Sequence, residues 1–188
     1  IGFANKEHSI KNKPEKDDLI VIMGGDNYRI GMGGAAVSSA DTGEFSTGIE
    51  LNAIQRSNPE MQKRVANAIR GTLENDKNCI VSIHDHGAGG HLNCLTELVE
   101  ETGGFIKLDN LPIGDPTLSN KEIIGNESQE RMGLIIKKEN IDEFIRICDR
   151  ERAPVYIVGR VTDDNRFTIH SEKSNLSCVD LSLIHISE

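Results

Sequence analysis

No run of Lys or Arg in these 188 residues is longer than two, and acidic side chains outnumber basic ones 30 to 21, for a net charge of −9. Nucleic acid and anionic membrane both need clustered positive charge, so neither is expected as a partner. Apolar runs long enough to span a bilayer are lacking, and Ile1 opens no signal-peptide pattern. The four cysteines (Cys79, Cys94, Cys148 and Cys178) are widely separated and form no CxxC. That usage argues against a zinc site or a disulfide framework and points to reduced, buried thiols in a cytoplasmic protein. Internal repeats, low-complexity segments and linkers are absent between residues 18 and 170, so that stretch is expected to be one domain.

Both ends read as cut. Residues 1–17 are a charged lead-in, starting without a methionine, from a preceding lobe. Residues 171–188 are expected to be a tail, non-native at its end, because Leu181–Glu188 fits nothing before it and resembles a translated sequencing adaptor.

Between them, apolar β-rich runs alternate with helical patterns. Leu19–Met23 reads as a buried strand ending in Gly24-Gly25. Asn58-Pro59 opens a helix as N-cap and first helical residue, with Met61, Val65, Ala68, Ile69 and Leu73 as its apolar stripe. A strand over 79–83, a helix over 91–102 and a short strand over 105–108 follow. Ser119-Asn120-Lys121-Glu122 is a capping box. Further on come a strand over 131–137, a helix over 141–148, and strands over 155–161 and 166–169 read as a closing hairpin. This alternation predicts an α/β layered fold with a mixed sheet.

Four clusters could carry chemistry. Gly24–Ser39 is glycine-rich around Arg29, a side chain suited to a carboxylate or a phosphate. It is neither GxGxxG nor a Walker A loop, and its glycines serve close packing equally well. Gln55 lies just before a helix N-terminus, where an amide and free N–H groups converge on an anion or simply cap the helix. Ile83-His84-Asp85-His86-Gly87-Ala88-Gly89-Gly90-His91 is strand, glycine turn and helix, the arrangement that aims N–H groups and a carboxylate at a phosphate or its metal. Asp85 suits magnesium, whereas the three histidines suggest zinc. Strand alternation puts His84 and His86 on one face and Asp85 on the other, which counts against a shared zinc site. Lone-histidine packing is the default for His91. Finally, Gly125–Met132 is a dense polar cluster, either a surface turn or a set of contacts to a small polar substrate.

In this order the motifs resemble phosphoribosylformylglycinamidine synthase, the amidotransferase family of purine biosynthesis. The residues that carry the resemblance are Arg29-Ile30-Gly31-Met32-Gly33-Gly34 with Ser38-Ser39, and Gln55-Arg56-Ser57-Asn58-Pro59-Glu60-Met61. They continue with His84-Asp85-His86-Gly87-Ala88-Gly89-Gly90, Asn126-Glu127-Ser128-Gln129-Glu130-Arg131 and Asp149-Arg150-Glu151-Arg152-Ala153-Pro154. The resemblance implies an internal piece of the large, single-chain bacterial form: the C-terminal lobe of the first synthetase half, shared with aminoimidazole ribonucleotide synthetase. It implies a three-layer sandwich with a mixed central sheet over residues 18–170.

The implied reaction joins formylglycinamide ribonucleotide, ATP and glutamine-derived ammonia into the amidine, with magnesium. Gln55, Glu127, Ser128 and Gln129 match substrate-contacting positions, and Asp85 matches a magnesium-ligand position. His86 and His91 depart from the family pattern. The implied partners are the preceding synthetase lobe, which carries the proposed catalytic histidines and most ATP contacts, and the glutaminase domain with its cysteine nucleophile; no catalytic residue is assigned within this chain. Two alternatives stand beside this reading: a pseudo-symmetric scaffold lobe without a working site of its own, and another aminoimidazole ribonucleotide synthetase-like ATP-dependent enzyme.

Overall fold

A computed structural model describes residues 6, 10–41, 43–53, 58–75, 77–173 and 176–182. In chain order the elements are β1 (Leu19–Met23), α1 (Gly34–Ser38), α2 (Thr47–Ala53), α3 (Pro59–Leu73), β2 (Ile80–His86), α4 (Gly90–Leu98) and β3 (Gly104–Lys107). After them come α5 (Asn120–Ile124), β4 (Ser128–Ile136), α6 (Ile141–Glu151), β5 (Val155–Val161), β6 (Arg166–Ser171) and β7 (Leu176–Ser182).

The strands form one seven-stranded sheet in the order β2-β4-β1-β5-β3-β6-β7. It is mixed: β3 and β6 run parallel, and every other neighbouring pair is antiparallel. Alternation along β1 builds two cores at once. Ile20 and Ile22 pack with Leu95 and Leu98 of α4, Ile106, Ile135 and Phe167. Val21 and Met23 pack on the opposite face with Val65 and Ala68 of α3 and with Phe144 and Cys148 of α6. Helices therefore cover both faces of a mixed sheet, the expected three-layer arrangement. Burying a side chain such as Phe144 or Phe167, each fully inaccessible, stabilises by roughly 1.5–3 kcal/mol.

Local chemistry fixes the helix starts. Asn58 Oδ1 accepts from the Met61 N–H at 3.0 Å ahead of Pro59. Ser119 and Glu122 complete the capping box of α5.

Several boundaries differ from expectation. β2 runs on to His86 and β4 begins at Ser128, because the two segments pair with each other as far as His86 opposite Ser128. α4 ends at Leu98, where Gly103, at φ +96°, turns its N–H back to the Val99 carbonyl. The closing hairpin is corrected: β5 and β6 are not neighbours, since β3 lies between them. The 162–165 turn steps over the start of β3, with the Thr162 and Asn165 N–H groups bonded to the Gly103 and Thr102 carbonyls. Asp163 and Asn165 take positive φ to make that step. β6 instead forms its hairpin with β7, so the sheet continues past residue 170 into the stretch read as a tail. Residues 183–188 lie outside the described residues.

Candidate functional site

β1, β2, β3 and β6 end, and β4 and β5 begin, at the same edge of the layers, so the glycine-rich loops after β1 and β2 and the 125–128 turn gather there. The loop after β1 is tied down on both sides. Asn27 bridges to Ile113, and Met32 bridges to Asn126. Gly31, at φ +74°, lies against the Glu127 carbonyl, where a Cβ would overlap the oxygen, and its own carbonyl accepts from the Glu127 N–H at 3.0 Å. Arg29 finds carboxylates of this chain: it pairs with Glu122 and, at 3.9 Å, with Asp115, and it donates to Thr117.

Beneath these loops lies a buried polar network that sequence reasoning did not foresee. Arg131, only 1% exposed, is its hub. Its guanidinium donates to the carbonyls of Gly25 (3.1 Å), Asp26 (3.3 Å) and Asn126 (3.1 Å) and to Asn126 Oδ1 (3.2 Å). The Asn126 amide in turn donates to the Tyr28 and Ile30 carbonyls. The loop after β1 and the 125–128 turn are thus stitched to β4 through one cation, a role suited to the fixed fork of Arg. His86 Nε2 meets His91 Nδ1 at 2.9 Å, and His91 Nε2 meets Asn27 Oδ1 at 3.0 Å. Burial and the Arg131 charge push both imidazoles well below the ordinary histidine range, so both rings are neutral.

The sequence-predicted residues are placed unequally. Glu127 and Ser128 are buried at this edge: Glu127 Oε1 accepts from the Gly89 N–H at 3.2 Å, and Ser128 stands opposite His86. The backbone of Gln129 continues β4, while its side chain lies outside what is described. Gln55 also lies outside the described residues. Asp85 projects from β2 with 67% of its side chain exposed, and the His84 ring lies beside it, Nδ1 3.6 Å from Asp85 Oδ1. As alternation required, His84 and His86 lie on the α4 side: His84 pairs with Glu97 of α4 and His86 with His91.

The histidines are therefore committed to protein partners. Among the described residues, no group of three His, Cys, Asp or Glu side chains is placed to hold a metal. Asp85 offers one accessible hard oxygen donor, which fits magnesium only when water and phosphate oxygens complete its shell. Cys79, Cys94 and Cys148 are free and buried, and burial pushes the Cys94 thiol up to about 12, an inert form. No described helix is long and apolar enough to cross a membrane.

The sequence is 38% identical to phosphoribosylformylglycinamidine synthase of Schizosaccharomyces pombe over 185 residues, which is 97% of this chain and 14% of that protein. Its identity to the Homo sapiens enzyme of that name is also 38%, over 92% of this chain and 13% of the relative. The chain thus spans about one-seventh of the length of these relatives. The fold is similar to T. maritima PurL complexed with FGAR, with a TM-score of 0.81 and 26% identity over 92% of this chain and 28% of that one. Residues 15–172 match the family described as AIR synthase related protein, C-terminal domain, and the chain belongs to that family.

Proposed function

We propose that this chain is the aminoimidazole ribonucleotide synthetase-like C-terminal lobe of the first synthetase half of a large, single-chain, cytoplasmic phosphoribosylformylglycinamidine synthase. The observation that carries the proposal is the TM-score of 0.81 to T. maritima PurL complexed with FGAR, joined to 38% identity with curated synthases along almost the whole chain.

In the proposed reaction the amide oxygen of formylglycinamide ribonucleotide takes the γ-phosphoryl group of ATP, releasing ADP. Glutamine-derived ammonia then adds at the activated carbon and phosphate leaves, giving the amidine. Magnesium, when bound, neutralises charge on the phosphoryl group in transfer. Asp85 is the residue of this chain that would hold it, and its exposure leaves room for phosphate and water oxygens. Gln55, Glu127, Ser128 and Gln129 hold the ribonucleotide substrate. Positioning and charge placement are what such a transfer asks of the protein, and a site at one end of a rigid sheet supplies them. The preceding lobe and the glutaminase domain complete the enzyme, and this chain alone is expected to form no amidine.

The scaffold reading has one observation in its favour: Glu127 and Ser128 are 4% and 7% exposed, and Glu127 already serves the Gly89 N–H. An Asp85→Asn variant of the full-length synthase separates the two. A working site predicts at least tenfold less magnesium-dependent amidine formation with an unchanged melting temperature; wild-type rates would remove Asp85 from the site and favour the scaffold.

A further inference from the structure

The His86–His91 pair belongs to none of the substrate or metal contacts above, yet it joins three separate segments of the site. His86 is the last residue of β2, opposite Ser128; His91 is the second residue of α4, behind the glycine turn whose Gly89 N–H serves Glu127; Asn27 sits in the loop after β1. All three side chains are fully inaccessible.

The proton positions follow from the one amide whose orientation is forced. Asn27 Nδ2 lies 2.7 Å from the Pro112 carbonyl, which can only accept, so Oδ1 is the atom that faces His91. Two acceptors 3.0 Å apart would repel, so His91 carries its proton on Nε2 and donates to Asn27. Its Nδ1 is then a bare acceptor, and His86 must donate from Nε2. Arg131 Nη1 carries two hydrogens: one goes to the Asn126 carbonyl at 3.1 Å, and the other faces His91 Nε2 at 3.3 Å, a longer contact than the 3.0 Å to Asn27 Oδ1 on which the assignment rests. The result is a one-directional chain, His86 Nε2–H to His91 Nδ1, then His91 Nε2–H to Asn27 Oδ1. Reversing the chain would set a bare His91 Nε2 against Asn27 Oδ1; as drawn, it leaves His86 Nδ1 as a buried acceptor without a hydrogen-bond partner among the described residues.

We infer that His91 is a positioning residue for the substrate site: with both rings in the Nε2-protonated form, its two side-chain links set the spacing between the glycine loop after β1, the end of β2 and the Gly87–Gly90 turn that receives Glu127. This inference rests on the reading of Glu127 as a substrate contact.

Nitrogen-15 ring spectra of the histidine-labelled chain at neutral pH test the chain of bonds. The expected result is two neutral, Nε2-protonated rings for His86 and His91 with slowly exchanging ring protons; an Nδ1-protonated His91 would overturn it. Kinetics of the full-length synthase test the role. His91→Leu is expected to raise KM for formylglycinamide ribonucleotide at least tenfold with kcat within threefold. His91→Gln, whose amide accepts and donates at a similar spacing, is expected to return KM to within threefold of wild type. A purely structural role would instead lower kcat with the amount of active enzyme and leave KM unmoved. Glu127→Gln is the control: an unmoved KM there overturns the substrate reading, whereas an unmoved KM in His91→Leu alone overturns the positioning role.

Discussion

Glu127 and Gly89 meet across the end of the sheet, the glutamate Oε1 accepting from the glycine N–H at 3.2 Å. Gly89, at φ +76°, is the N-cap of α4, whose first N–H groups have no helical partner, and its own side chain can cap nothing. The carboxylate of Glu127, just ahead of β4, does that work and sits where the helix dipole favours negative charge. Replacing Glu127 with Ala removes the bond to the N–H of Gly89, an exposed residue, and is expected to cost about 0.5–1.5 kcal/mol. Gln keeps an acceptor at that place and is expected to cost less than Ala. Urea unfolding of the three forms reads the difference, and equal midpoints would show that water replaces the bond.

Gly133 allows α4 to lie close on the sheet. A Cβ there would stand 2.6 Å from Cys94 Sγ and 2.9 Å from Leu98 Cδ1. Gly133→Ala is therefore expected to destabilise by about 1–3 kcal/mol through overpacking. Adding Cys94→Ala removes the nearer clash, so the double variant should lose less stability than the two single losses together, by about 1 kcal/mol or more. Strict additivity would mean that the helix moves away as a body.

Much of this was legible in the sequence. Leu19–Met23 announced a strand buried on both faces, and Asn58-Pro59 and Ser119–Glu122 announced helix starts, because each rests on local chemistry that tertiary packing left alone. What escaped was non-local. The order of β5, β3 and β6 depends on a turn that steps over a strand, and Asp163-Asp164-Asn165 reads equally well as a hairpin turn. The network around Arg131 escaped for a related reason. Its partners come from positions 25–27, 86–91 and 126, and nothing in the pattern near Asn27 or Arg131 marks either as buried. The two histidines were noticed, five residues apart across a glycine turn, but their contact with each other needs the fold of that turn.

The buried imidazoles give stability a pH dependence of definite sign. Both stay neutral in the folded chain, held below the ordinary value near 6.5 first by burial and then by Arg131. Unfolded, both take up protons as pH falls through about 6.5, so the unfolded state binds more protons and stability drops. The full contribution is present above that pH, and the slope below it approaches about 2.7 kcal/mol per pH unit for two rings. Glu122, held below the usual carboxylate range by hydrogen bonds from the Ser119 N–H and hydroxyl, and Glu143, held down by Arg146, bring a separate loss only in the more acidic carboxylate range. Urea midpoints between pH 7.5 and 5.5 measure the histidine part; a flat profile there would show that the rings charge in place.

The central claim is that the edge of the sheet carrying Glu127 binds substrate as part of a larger synthase. Calorimetric titration of the full-length enzyme with formylglycinamide ribonucleotide, wild type beside Glu127→Gln, tests it most directly. The account predicts binding at least tenfold weaker in the variant, with the melting temperature nearly unchanged. Equal affinity in the two proteins would contradict it and leave this lobe as scaffold.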